Sequence, residues 1–309
     1  MKRFIITLIL FSIPLIAFLS VILCFPMDKR FAYAYTGKDS YTRSLWIYDR
    51  INNNSTPIDV AFIGTSRTIH AINDSVLQKQ LLTVYSIKTH LANLGYYRFG
   101  RNMNYVIIKE LLKKRTVKTI VLEVTSDEDI SSNLDFGYMA DLIDVIYPAH
   151  INQVYFSDLC KSFNVHLSYI KYKLNLENDT INCVLPQIYG YGNSTQLANL
   201  NDLKHMDRYP VTNYFGRWLN ILYPRAYLNK IAELCKANNV KLYFLYIAGY
   251  TTYSRPPLEL DTYKKYGQVF LPPYTISDHA ENFMDEAHMN NTGADKMTDY
   301  LLTHPELFR

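Results

Sequence analysis

Three short apolar runs constrain this chain more than any other feature. "IDVAFIG" (58–64), "TIVLEVT" (119–125) and "VKLYFLYI" (240–247) are dense in β-branched and aromatic residues, and such runs without polar alternation read as strands buried on both faces. Helical patterns precede them. "RNMNYVIIKELLKKR" (101–115) sets Tyr105, Ile108, Leu111 and Leu112 on one face, and "YLNKIAELCKANN" (227–239) does the same with Leu228, Ile231 and Leu234. A further, weaker strand is expected over 84–88. The alternation predicts an α/β chain with a doubly wound parallel sheet and right-handed crossovers. Between 127 and 218 the periodicity fails among Gly, Asn and Tyr clusters such as "IYGYGNST". That stretch is expected to be a long, partly helical insertion after the third strand, without a core of its own.

The N-terminus carries a different signal. After Lys2 and Arg3, residues 4–25, "FIITLILFSIPLIAFLSVILCF", hold no charge, and about 20 such residues suffice to cross a bilayer as a helix. The run ends in Leu23, Cys24, Phe25 and Pro26 without an AxA-like site, which favours an uncleaved signal anchor over a cleaved signal peptide. A lipoprotein reading of Cys24 is weaker, because Leu23 is too large for the residue before a lipidated cysteine. The leading basic residues favour a cytoplasmic N-terminus and an extracytoplasmic remainder, although Lys29 and Arg30 blur the bias.

Charge and cysteine content exclude other classes. A net charge of +4, from 32 basic and 28 acidic residues, calls for no nucleic-acid partner. Beyond the anchor, Cys160, Cys183 and Cys235 permit one disulfide, Cys160–Cys183 being the nearer pair. No Cys/His spacing matches a metal site. The 27 Tyr and 15 Phe suit either buried amphipathic aromatics or a glycan-facing surface.

Ligands of open parallel sheets bind beyond the carboxyl ends of the strands, and the residues there carry the functional signal. The first strand runs into "GTSRT", which puts Ser66 at the turn into a helix, either as a helix cap or as a nucleophile. Arg67 is expected to be a solvated helix-start cation, with contact to an anionic substrate as the second reading. In "LANLGYYRFGRN", Gly95 serves either the turn or an oxyanion hole through its N–H, with Asn93 or Asn102 as amide donors. Glu123 and Asp127 form a weaker carboxylate pair of the kind used in glycoside hydrolysis. Near the other end, "DEAHMNNTGADKM" (285–297) spaces Asp285 three residues before His288.

Taken together, "IGTSRT", "NLGY" and "DEAHMNNTGA" make the chain resemble the SGNH (GDSL-like) hydrolase superfamily over about 57–304. The resemblance implies a flavodoxin-like three-layer sandwich at 57–309, carrying the 127–218 insertion, behind an anchor at 1–27 and a linker at 28–56. It also implies Ser66 as nucleophile, His288 as general base, Asp285 as its orienting partner, and the N–H groups of Ser66 and Gly95 as oxyanion donors. One departure stands out. Where the family often has the Asn of a GxND block, this chain reads "VLEVTSDED", so Ser126 or a backbone N–H substitutes, or the third donor is absent. The arrangement is similar to membrane-anchored members that handle acyl groups on envelope polymers, as in teichoic-acid D-alanylation and alginate O-acetylation.

The implied chemistry needs no cofactor. It is that of an esterase or O-acyltransferase, whose substrate is an acylated cell-envelope glycan or a small ester. The alternative is a non-catalytic scaffold that binds glycan or a membrane-bound acyltransferase.

Overall fold

The three buried apolar runs become β1 (Val60–Ile63), β3 (Thr119–Val124) and β4 (Lys241–Tyr246) of one all-parallel sheet, which β2 (Leu91–Asn93) and β5 (Val269–Phe270) complete. The computed structural model describes residues 1–37, 39–126, 128, 130–176, 189–199, 203, 218–250 and 256–309. Strand order is β2-β1-β3-β4-β5. The register pairs Phe62 with both Asn93 and Val121, and Val121 with Tyr243. Because all strands run the same way, Ile63, Asn93 and Val124 finish along one edge.

The chain divides into two compact units, one of Met1–Tyr48 with Leu134–Leu185 and one of Asp49–Asn133 with Pro186–Arg309. In the second, helices α4 (Ser66–Ala71), α5 (Asp74–Tyr85), α6 (Arg101–Lys114), α10 (Leu222–Ala237), the short α11 (Leu260–Tyr263) and α12 (Asn291–Leu302) accompany the sheet. β1 and β3 are buried at every position. Phe62, Leu77, Leu81, Phe283 and Met297 belong to one apolar core. Of the expected helix faces, Ile108, Leu111, Leu228 and Ile231 are buried, and α6 meets α10 through Tyr105 and Tyr227, ring centroids 5.5 Å apart.

The strand expected over 84–88 is not there. Asn73 caps α5 by accepting from the Val76 N–H, the helix continues to Tyr85, and Ser86 closes it with φ 55°. Leu77 and Leu81, one helical turn apart, are fully buried, so a helical face outweighs local β propensity. The strand itself starts at Leu91.

The first unit holds α1 (Lys2–Leu23), α2 (Lys29–Ala34), most of α3 (Tyr41–Asn52), α7 (Phe136–Met139), α8 (Leu142–Ile146) and α9 (Tyr155–Lys173). α1 has a mean hydropathy of 2.8 over its most apolar window and is long and apolar enough to cross a membrane. The expected linker at 28–56 is corrected by α2 and α3. Phe31, Leu45, Trp46 and Ile47 are each no more than 2 % exposed, and a stretch that buries so much apolar surface folds instead of spanning. The expected insertion is divided as well: of its described residues, 134–176 fall in the first unit, and 128, 130–133, 189–199, 203 and 218 in the second. Cys183 lies outside the described residues, and with it the expected disulfide.

Candidate active site

The turn after β1 is built around a buried carboxylate. Glu123, on β3 and 3 % exposed, accepts from the Thr65 N–H at 2.7 Å, the Thr65 hydroxyl at 2.8 Å, the Thr68 N–H at 3.2 Å and the Thr68 hydroxyl. These bonds satisfy the donors that a helix start leaves open. They also explain Gly64: a Cβ there would stand 2.3 Å from a Glu123 oxygen and 2.0 Å from Thr68 Oγ1.

Thr65 caps α4, its hydroxyl accepting from the Arg67 N–H at 3.1 Å. The capping alternative for Ser66 is thereby answered: Ser66 is the first helical residue, and its hydroxyl is not spent on the cap. Instead Ser66 Oγ lies 2.7 Å from His288 Nε2, across 222 positions of sequence.

His288 and Asp285 are held in a tight loop between Phe283 and Met289, which pair across an antiparallel bridge. Asp285 Oδ1 accepts from the Ala287 and His288 N–H groups, each at 2.8 Å. The same carboxylate faces His288 Nδ1, at 2.9 Å and 2.8 Å from its two oxygens. A ring that gives its Nδ1–H to a carboxylate keeps Nε2 as an acceptor, the tautomer a serine hydroxyl needs. Partial burial works against the charged carboxylate of Asp285, but hydrogen bonds from the His288 ring and the Ala287 N–H outweigh it and hold its pKa down to about 2. Beyond the loop, Asn290 caps α12 through the Gly293 N–H.

The remaining expected residues fare differently. The Gly95 N–H donates to Asn93 Oδ1 at 3.1 Å. Asn93, fully buried, gives its amide to the carbonyls of Thr68 and Ile72, each at 2.8 Å. It clamps the end of α4, and its amide hydrogens are spent there. Asn102 donates to Ser132 and Tyr223 at 2.7 and 3.1 Å. Ser126 accepts the Leu258 N–H on its carbonyl at 3.0 Å. The Ser66 N–H stands at the start of α4.

Arg67 is not a solvated cation. It is 3 % exposed, and its guanidinium lies 5.4 Å from the Phe99 ring centroid. Burial lowers its pKa, while Glu123, Tyr246 and Asp285 pull it back up. The carboxylate pair is also corrected. Glu123 spends its oxygens on the Thr65–Thr68 turn, and Asp127 lies outside the described residues.

Two features escape sequence reasoning. His70, one turn along α4, sets its ring 5.4 Å from that of His288 in an edge-on arrangement, and its Nδ1 lies 2.7 Å from the Gly192 carbonyl. Arg101 forms a two-pronged pair with Glu128, both contacts at 2.8 Å, and donates to the Glu123 carbonyl at 3.0 Å. Burial penalises that guanidinium, yet the Glu128 carboxylate outweighs it and raises the pKa of Arg101. The signal for Glu123 was present in the sequence, as a single carboxylate inside an apolar strand; His70 and Glu128 have no such mark.

Comparison of the chain with protein-family models and with curated proteins returned no match.

Replacing Glu123 with Gln tests the turn. The amide keeps the volume but brings two N–H donors against a ring of donors, and leaving buried groups unsatisfied costs about 1–3 kcal/mol. Glu123→Gln is therefore expected to lower the urea midpoint and to lengthen the 2.7 Å contact between Ser66 Oγ and His288 Nε2. A variant with unchanged stability and an unchanged contact would remove this role from Glu123.

Proposed function

We propose that this chain is a membrane-anchored, extracytoplasmic serine esterase or O-acyltransferase of the SGNH type, acting on acyl groups of a cell-envelope glycan. The observation that carries the proposal is the hydrogen-bonded chain Ser66 Oγ, His288 Nε2, His288 Nδ1, Asp285. The 2-1-3-4-5 strand order supports the flavodoxin-like class, in which ligands gather at the carboxyl edge.

In this reading His288 takes the Ser66 proton as Oγ attacks an ester carbonyl, and the Ser66 N–H receives the developing oxyanion. Collapse of the tetrahedral intermediate expels the alcohol, which leaves with the proton held by His288, and an acyl-Ser66 remains. Water or a sugar hydroxyl, deprotonated by His288, then attacks the acyl carbon and frees Ser66. Asp285 stays ionised and stabilises the imidazolium in both halves. The first acceptor makes an esterase and the second a transferase.

One observation favours the scaffold reading, in which the same fold binds glycan or a membrane-bound acyltransferase without turnover. The N–H of Gly95 and the amide of Asn93 are engaged inside the protein, and loss of one oxyanion donor costs about 2.7–4 kcal/mol in transition-state stabilisation. A fluorophosphonate probe separates the two readings. An enzyme becomes labelled at Ser66, and Ser66→Ala abolishes the label; a folded wild-type chain that takes up no probe favours the scaffold.

The anchoring has its own test. With α1 crossing the membrane behind Lys2 and Arg3, protease added to intact spheroplasts should degrade the chain from Lys29 onward. Full protection until the membrane is lysed would reverse the orientation.

A further inference from the structure

The last turn of α9 meets the end of α1. Phe25, just beyond α1, has its ring centroid 6.3 Å from that of Tyr169. Phe31 lies 5.1 Å from Tyr169 and 5.5 Å from Tyr172 by the same measure. Phe31, Val165 and Tyr169 form a buried apolar cluster against which Met27 and Tyr35 pack. This joint ties the height of the α9 C-terminus to the place where α1 ends.

On the reading that α1 spans a bilayer, its end stands at the boundary between hydrocarbon and headgroups. A helix rises about 1.5 Å per residue, so the chain from Tyr169 to Leu176 stays within about 10 Å of that boundary. The headgroup layer on each side is roughly 5–8 Å thick. The surface presented there is unlike an ordinary solvated helix end. Leu174 is 63 % exposed, Leu176 70 % and Phe25 39 %. Lys171 and Lys173 occupy the last turn, and Lys173 Nζ lies 5.5 Å from the Tyr169 ring centroid. Exposed leucines flanked by lysines and tyrosines form the pattern of a segment lying in a membrane interface, with apolar tips among the upper acyl chains and ammonium groups at lipid phosphates.

We infer that the C-terminal end of α9 is a second membrane contact: Leu174, Leu176 and Phe25 insert at the headgroup–acyl boundary, and Lys171 and Lys173 engage anionic lipid headgroups. The bilayer is the occupant because the exposed leucines follow, within two helical turns, the Tyr169 that packs against Phe25 at the end of α1. This seat rests on the anchored reading of α1 and is independent of the esterase chemistry. It makes the first unit a foot held at two points.

Depth-dependent quenching tests it in the full-length chain, reconstituted into vesicles of phosphatidylcholine and phosphatidylglycerol. A Leu176→Trp variant adds one indole to the two tryptophans of the chain. Its added emission should fall at least twofold in lipid brominated near the headgroup and less in lipid brominated deep in the chain. A Leu15→Trp variant, in the middle of α1, should show the reverse order. Quenching at 176 should also rise with the phosphatidylglycerol fraction, and Lys171→Glu combined with Lys173→Glu should remove that rise. Quenching at 15 without quenching at 176 overturns the seat while leaving the anchor intact. No quenching at either position overturns both. Quenching at 176 that ignores lipid charge overturns the role given to the lysines.

Discussion

Ser66→Ala and His288→Ala are each expected to abolish turnover of a short-chain aryl ester, lowering kcat/KM by at least about 10⁴-fold, while the urea midpoint moves little. The expectation follows from the 2.7 Å contact between Ser66 Oγ and His288 Nε2. In the proposed mechanism the hydroxyl forms the acyl-enzyme, and the imidazole takes its proton. Because the two act as one unit, the double variant should be scarcely slower than either single one. Full activity in purified Ser66→Ala would remove the serine from the mechanism. Equal loss of folding and activity would leave only a structural role, and the urea curve is measured for that reason.

Asp285→Asn is expected to cost about 10⁴-fold at neutral pH, with Asp285→Ala less damaging than Ser66→Ala by about 10- to 100-fold. An asparagine amide in place of the carboxylate can donate to Nδ1, which favours the ring tautomer that carries its proton on Nε2 and so cannot receive one from Ser66. The wild-type carboxyl, held at about 2, keeps its charge throughout a pH 4 to 8 assay. Loss of activity on acidification within that window therefore does not report the Asp285 carboxyl. The stability linkage has the opposite window. A carboxyl whose folded value lies below the ordinary 3.8 contributes stability above about pH 4 and loses it as the pH falls towards 2. Thermal unfolding at pH 5 should separate wild type from Asp285→Asn, and at pH 2 the gap should close. A gap that stays constant from pH 5 to pH 2 would show that Asp285 does not engage His288.

Much of the sheet was legible because strands buried on both faces leave a mark that depends on few other residues. The runs around β1, β3 and β4 are continuous and apolar, and desolvation alone drives them inward. β2 and β5 have only three and two residues. So short a strand gives no period, and β2 was sought at 84–88, where a capped helix runs instead. The linker failed for a related reason. Trp46 and Ile47 sit among charged and polar neighbours in "YTRSLWIYDRIN", and only packing shows that both are buried.

By itself the sequence determined that this chain pairs an apolar membrane-length helix with a parallel α/β sheet, and that a serine, a histidine and an aspartate fall at loops where such sheets gather their ligands. Those conclusions need only local composition, spacing and the chirality of crossovers. Tertiary structure alone decided what each polar side chain does there. Arg67 is buried over Phe99 and not solvated. Glu123 anchors the Ser66 turn, Asn93 clamps α4, and the N–H of Gly95 is engaged by Asn93. A polar group leaves water only where partners replace its hydrogen bonds. Those partners lie up to 58 positions away for Glu123 and 222 for His288, at distances that no spacing along the chain encodes.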